Sequence, residues 1–396
     1  MNTARILQRV LLLGMICLLP VSCSHHPFRL QAERLSISAT SLSFADIFAE
    51  QPSTSSERNQ AYIDPYLDDF FLRAQEKQGF NGVVLVAEQG SIRHAGAYGY
   101  ANFKKKDSLH LGSVFQLASV SKIFTSTAIL MLYEEGSLLF DDPVVQHIPE
   151  FPYPDITIRH LLTHRSGLCR YMGLGDQYWD KKKVMSNEDM LNLLIAHQPK
   201  LWFEPGSRYL YINTNYAVLG LIIERITHQP FAEFIQHRIF EPLDMQESYV
   251  ATHIQRRKIP HIVTGYKRIR RRNRDAGGDY VDGVFGDKGI YASARDLLKF
   301  DDALYHERLV SSSTLLYAYQ PSSSSKRRNN HYGFGWRMRR DIPDLVYHFG
   351  WWRGFRTCLI RDLQAERTVI ILSNQDHQRF SVPYWEVYHS LNRMPS

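Results

Sequence analysis

Ser119 and Lys122 stand three residues apart in the run Ser119-Val120-Ser121-Lys122. On a helix that spacing puts a hydroxyl and an amine on one face. The flanking residues predict such a helix from near Ser119 to Glu135, with Gly136 as its stop. Ile123, Phe124, Ala128, Ile129, Leu130, Met131 and Leu132 are apolar nearly all round it, the pattern of a buried helix. Burial matters to the chemistry: desolvation lowers an amine's pKa and would make Lys122 a usable base for the Ser119 hydroxyl. Backbone N–H groups at the helix start have no partner within the helix and could answer an oxyanion. Alone, the pair has a plainer reading, a capping serine and a surface lysine.

Two more short runs bear on the choice. Tyr211-Ile212-Asn213 lies between the turn Pro205-Gly206 and a helix beginning near Tyr216. A phenol there could share a proton with Lys122, and an asparagine amide could hold a substrate carbonyl. His348-Phe349-Gly350 precedes a strand at Phe355. A glycine at that place lets a substrate backbone come close to a strand edge.

These residues need elements to position them. Tyr66 to Gln78 has helical spacing, and Gly82 to Ala87 and Ser91 to Tyr98 form a hairpin about Gln89-Gly90. Near the other end Phe355 to Asp362 and Thr368 to Leu372 read as strands and Val382 to Leu391 as a closing helix. Between them Leu161 to Thr163, Glu188 to Ile195, Tyr216 to Ile226 and Phe231 to Ile239 carry helical spacing. The expected architecture is therefore an α+β sandwich. An antiparallel sheet built from N- and C-terminal strands is flanked by helices, with an inserted, mainly α-helical subdomain over about 140–280.

In this order the three runs resemble the motif set of the serine β-lactamase/penicillin-binding-protein superfamily: Ser-x-x-Lys, then Tyr-x-Asn, then a Lys-Thr-Gly-like triplet. Further segments carry the resemblance. They are Asn81 to Asn102, Phe115 to Ala118, Leu138 to Pro149, Ile156 to Leu168, Pro205-Gly206 to Glu224 and Gly289 to Leu297. It covers roughly residues 65–390, and the tyrosine points to the class C-like branch. The resemblance implies a β-lactamase/transpeptidase-like fold and a serine hydrolase that needs no cofactor. It implies that Ser119 forms an acyl-enzyme, that Lys122 and Tyr211 transfer protons, and that the Ser119 and Trp351 N–H groups make the oxyanion hole. Asn213 would bind the acyl side of a small peptide, ester or cell-wall-derived substrate.

Two departures shape the expected activity. His348 stands where a lysine is usual, replacing a permanent charge with a titratable ring. Trp351-Trp352-Arg353 follow where small polar residues are usual, so the rings would narrow or reshape the pocket or supply a stacking wall, and Arg353 could clamp a carboxylate. Peptidase, D-amino-acid peptidase, DD-peptidase-like or esterase activity is expected, with weak or no β-lactamase activity. The alternative is a non-catalytic sensor of cell-wall fragments or β-lactams that keeps the fold.

The start of the chain reads as an export signal. Arg5 and Arg9 precede the apolar stretch Val10 to Val21, which is shorter than the ~20 residues of a usual membrane span. Ser22-Cys23 resembles a bacterial lipoprotein cleavage site, so Cys23 is a lipidation candidate, with simple cleavage or an uncleaved anchor as alternatives. The domain reading is a signal over 1–23, a polar tether over 24–63 and a hydrolase domain over 64–392. The protein would be exported, periplasmic or held at the outer membrane by its lipid. Cys169 and Cys358 are expected to be free thiols. His160 and His164, four apart, lack the third ligand and Glu base of a zinc site, so no metal is expected. The formal charge of +7 is concentrated in Arg256 to Lys258, Lys267 to Arg274 and Lys326 to Arg328, read as solvated surface loops. No nucleic-acid signature accompanies them.

Overall fold

The computed structural model describes residues 63–270, 272–322, 330–376 and 384–391. The expected signal, Cys23 and nearly all of the polar tether lie outside the described residues.

Helix α1 (Pro65–Arg73) opens the described chain. The Asp64 carboxylate accepts from the Leu67 N–H at 2.9 Å, and Pro65 stands where a missing N–H costs nothing. A hairpin of β1 (Gly82–Glu88) and β2 (Ser91–Tyr98) follows. The chain returns to the same sheet only much later, as β3 (Asn330–Tyr332), β4 (Arg337–Arg339), β5 (Ile342–Trp352), β6 (Phe355–Asp362) and β7 (Arg367–Ser373). The seven strands run in the order β3-β4-β5-β6-β7-β1-β2, and every pairing is antiparallel. The β1–β7 pair, with Leu85 opposite Ile370, closes the sheet between the two ends of the domain.

Side chains alternate across a strand, so each face of the sheet has its own apolar layer. Val84, Val86, Tyr347, Cys358, Ile360, Val369 and Ile371 pack with Leu67 and Phe71 of α1 and with Val387, Tyr388 and Leu391 of the closing helix Tyr384–Leu391. The helix Ala294–Tyr305 covers the other face against β1 and β7. The fold is thus an α+β sandwich, an antiparallel sheet of N- and C-terminal strands with helices on both faces, as expected. Helices fill the intervening chain: α2 (Ser121–Glu134), α3 (Ile158–Leu162), then Asn187–His197, and α4 (Asn213–Thr227).

Two elements differ from the sequence reading. The region around His348 is not a lead-in to a strand but part of β5, which at 11 residues is the longest in the sheet. The basic run is not a featureless loop: Tyr266–Ile269 pairs antiparallel with the exposed strand Arg272–Asp275 and, at Tyr266 and Lys267, parallel with Gln375–Asp376, a small three-stranded sheet. Charge alternation hides strand signals there, because neither face of the ribbon is apolar.

Candidate active site

The Ser119 turn is fixed by contacts on both sides. Ser119 lies in a short 3-10 turn, Ala118–Val120, just ahead of α2. Ala118 has a φ of 51°, a left-handed conformation that costs a non-glycine residue about 1–3 kcal/mol. Tertiary contacts hold it. The Thr357 hydroxyl donates to the Leu117 carbonyl at 2.6 Å. Gly350 presses on the same turn: a Cβ there would come within 2.3 Å of the Leu117 oxygen and 2.2 Å of the Thr357 Oγ1. The space that a Cβ at Gly350 would fill is thus occupied by the enzyme's own turn.

Lys122 is fully buried on α2. Its ammonium donates to the Ser119 Oγ at 3.1 Å and to the Asp287 carbonyl at 2.7 Å. Burial of the amine pulls its pKa from 10.5 down to about 7, opposed by the Asp287 charge and assisted by Arg337. The face-sharing and the burial expected from the sequence are both present.

Tyr211 completes the group. Its ring centroid is 5.1 Å from the Lys122 Nζ. Its hydroxyl is buried, with Arg337 and Ser119 nearby, and makes no hydrogen bond of regular geometry. Burial pushes the phenol up to about 12, against the pull of Arg337 and Ser119. The His164 ring packs on Tyr211 at 4.3 Å, and its Nδ1 accepts from the Ile212 N–H at 3.2 Å. His160 spends its Nδ1 on the Thr157 N–H, capping α3. The two histidines are thus structural parts of separate contacts.

Asn213 opens α4, and its Oδ1 is buried without a hydrogen-bond partner. It lines a cavity of about 220 Å³ with Arg170, Tyr171, Met172, Tyr211 and Ile212. A buried, unanswered acceptor at a cavity wall suits a substrate N–H. A larger hollow of about 430 Å³ beside Arg159, Arg165 and Tyr317 touches none of Ser119, Lys122 and Tyr211.

The third motif is rearranged. His348 is fully buried, its Nε2 3.2 Å from the Tyr332 hydroxyl and its Nδ1 2.9 Å from the Phe349 carbonyl. Burial, Arg337 and Lys122 hold its pKa well below the ordinary histidine value. The ring is a neutral strut, not the pH-responsive charge the sequence suggested. Arg353 is no free clamp either, since its guanidinium pairs with Asp279. Trp352 donates to the Asp282 carboxylate at 2.9 Å. Trp351, by contrast, is 63% exposed on the rim, with the Arg356 guanidinium 5.1 Å from its ring. Only one of the two tryptophans stands free to form a wall.

Several site residues escaped the sequence reading. Asp287 anchors Lys122 through its carbonyl, and Arg337 stacks on Tyr211 at 4.8 Å. Asp287 adjoins the recognised segment beginning at Gly289, a usable signal. Arg337 follows Gly335-Trp336 with nothing local to mark it.

The chain is similar to known proteins in sequence and in fold. Residues 62–390 match the family described as Beta-lactamase. Penicillin-binding protein 4* of Bacillus subtilis is 36% identical over 78% of this chain and 72% of its own. A D-aminopeptidase of Gluconobacter oxydans is 26% identical over 75% of this chain, which spans 56% of that enzyme. Among solved structures, a penicillin-binding protein from Bacillus halodurans superposes with a TM-score of 0.73 at 23% identity, covering 84% of this chain and 99% of that one. Sheet, the Ser119–Lys122 pair and the family match together establish that the chain belongs to the Beta-lactamase family and is a serine hydrolase of it.

Proposed function

We propose that the protein cleaves an amide or ester through an acyl-enzyme on Ser119. The carrying observation is the Lys122 amine 3.1 Å from the Ser119 Oγ with its pKa drawn down to about 7. At neutral pH a good part of this amine is unprotonated and can take the serine proton as the hydroxyl attacks the carbonyl. Tyr211 stays protonated near pH 7, because burial raises it to about 12. It is therefore suited to hand a proton to the leaving group and receive one back through Lys122, rather than to act as the first base. The Ser119 and Trp351 N–H groups would stabilise the oxyanion, and Asn213 would hold the acyl side. Water then releases the acyl group by the reverse relay.

The names of the relatives, a penicillin-binding protein and a D-aminopeptidase, support peptide- or ester-type substrates. The neutral His348 and the exposed Trp351 support weak or no β-lactam hydrolysis. The leader sequence supports export with lipidation at Cys23; a Cys23→Ala variant should leave the membrane fraction, and one that stays there contradicts the anchor. Fluorophosphonate labelling tests the catalytic reading. The wild type should label and Ser119→Ala should not. A screen of p-nitrophenyl esters, D-aminoacyl amides and nitrocefin should rank nitrocefin last, and absence of labelling in both proteins would refute the acyl-enzyme.

A further inference from the structure

The basic strand pair Tyr266–Ile269 and Arg272–Asp275 takes no part in the reaction proposed above. In its register Lys267 stands opposite Arg274, Arg268 opposite Asn273 and Ile269 opposite Arg272. Cross-strand partners share a face, and neighbours along a strand point to opposite faces. One face therefore carries Tyr266, Arg268, Asn273 and Asp275. It turns toward the body of the protein. Tyr266 is buried, its hydroxyl accepts from the Phe103 N–H at 3.0 Å, and the Arg268 guanidinium lies over Gly79. The other face carries Lys267, Ile269, Arg272 and Arg274 and looks outward, with Ile269 46% exposed among the cations.

This outward charge is uncompensated. Lys267 and Arg274 are directly opposite, and like charges so placed cost stability. The carboxylates that flank the pair are turned away or taken. Asp275 lies on the inward-turned face and accepts from the Gly277 N–H at 2.8 Å. Asp279 pairs with Arg353, and Asp376, in register with Lys267, pairs with Arg356 at 3.5 Å. Among the described residues none of Lys267, Arg272 and Arg274 forms an ion pair with a carboxylate. The pair is firmly rooted, since the Tyr266 N–H donates to the Asn374 carbonyl at 2.8 Å and Gly354, in the turn between β5 and β6, packs on Gly265. At its foot Gly278 packs on the His253 ring, and the adjoining Ile254, Arg257 and Lys258 are exposed as well. Cations interleaved with exposed apolar side chains fit an anionic lipid surface. Headgroup phosphates answer the guanidinium groups, and an isoleucine enters the boundary between headgroups and acyl chains. A hydrophilic polyanion would use the charges and leave Ile269 in water.

We propose that the outward face of this strand pair docks the protein on an anionic phospholipid surface through Lys267, Arg272, Arg274 and Ile269. The docking is independent of the acyl-enzyme and of a lipid at Cys23. The test is co-sedimentation of the full chain carrying Cys23→Ala, which cannot be lipidated there, with phosphatidylcholine vesicles and with mixed phosphatidylcholine–phosphatidylglycerol vesicles. The apolar leader stretch would bind both alike, so the readout is the preference between them. This parent should favour the anionic vesicles by about ten-fold or more at low salt, and added salt should erode the preference. Adding Lys267→Gln, Arg272→Gln and Arg274→Gln together should remove about ten-fold or more of it. Adding Ile269→Ser alone should weaken vesicle binding several-fold and leave binding to soluble dextran sulfate unchanged. Thermal unfolding midpoints at or above the parent's show that the variants fold. Equal binding of the parent to both vesicle types overturns the proposal, as does a triple variant that keeps the preference. Unchanged vesicle binding by the Ile269→Ser variant also overturns it, in favour of a hydrophilic polyanion as the partner.

Discussion

Two buried lysines share one aspartate and end up with different jobs. Lys122 and Lys288 are 0% and 3% exposed, and burial draws both amines below their ordinary pKa. Lys122 takes the main-chain carbonyl of Asp287 and the Ser119 hydroxyl, both neutral acceptors. Lys288 takes the carboxylate of the same Asp287 at 3.4 Å, with the Tyr171 hydroxyl at 2.7 Å and the Val284 carbonyl at 3.1 Å. Neutral acceptors satisfy the amine's hydrogens without holding its charge, so Lys122 can give its proton up. A carboxylate holds the charge, so Lys288 is a structural cation. Burial alone does not free an amine of its proton near neutrality; burial without a directly paired anion favours it.

The same substitution at the two positions should separate these roles. Lys122→Met should lower kcat by about 10²–10⁴-fold, the scale of a lost general base, measured on whichever ester the screen ranks first. Tyr211→Phe should cost about 10²-fold or more in kcat, with the larger loss on substrates that have poorer leaving groups. Lys288→Met leaves the Asp287 carboxylate buried and unpaired and should cost about 3–5 kcal/mol of stability in urea unfolding. Lys122→Met should do the reverse and stabilise the fold by about 1–4 kcal/mol. The sign follows from linkage. Between about pH 7 and 10.5 the unfolded chain carries the Lys122 proton and the folded chain does not, so stability contributed by this group rises with pH across that window. Below about pH 7 both states are protonated and the buried charge costs most. Removing the amine should therefore stabilise most at pH 6 and progressively less toward pH 10. The smallest effect is expected at the rim: Arg353→Ala breaks a partly exposed pair with Asp279 and should change stability by about 1 kcal/mol or less.

What the sequence could reveal divides along the same line. Ser119 and Lys122 were legible because helical spacing alone makes them neighbours and an apolar surround announces burial. Tyr211 and Asn213 were legible as a motif ahead of α4. The hairpin Gly82–Glu88 with Ser91–Tyr98 and the pair Phe355–Asp362 with Arg367–Ser373 were legible from local alternation and turns. The state of His348 was not, because its neutrality comes from burial against Tyr332 and Arg337, on strands that meet it only in the sheet. Arg353 was misassigned as a clamp for a related reason: its partner, Asp279, lies in a distant loop. Arg337 went unseen because an arginine's meaning depends on what it faces, and β4 brings it to Tyr211 only through pairing with β5. The ribbon at Tyr266–Ile269 went unseen because it buries too little to leave a pattern.

The chemistry proposed for Ser119 requires that the Lys122 amine lose its proton near neutrality inside the folded protein. Titration of [ε-¹³C]lysine-labelled protein by NMR, with the Lys122 signal assigned by its absence in Lys122→Arg, reads that proton directly. A midpoint at about pH 7 is the expected result. A midpoint near 10, with Lys122 still charged when the enzyme is fully active, would contradict it.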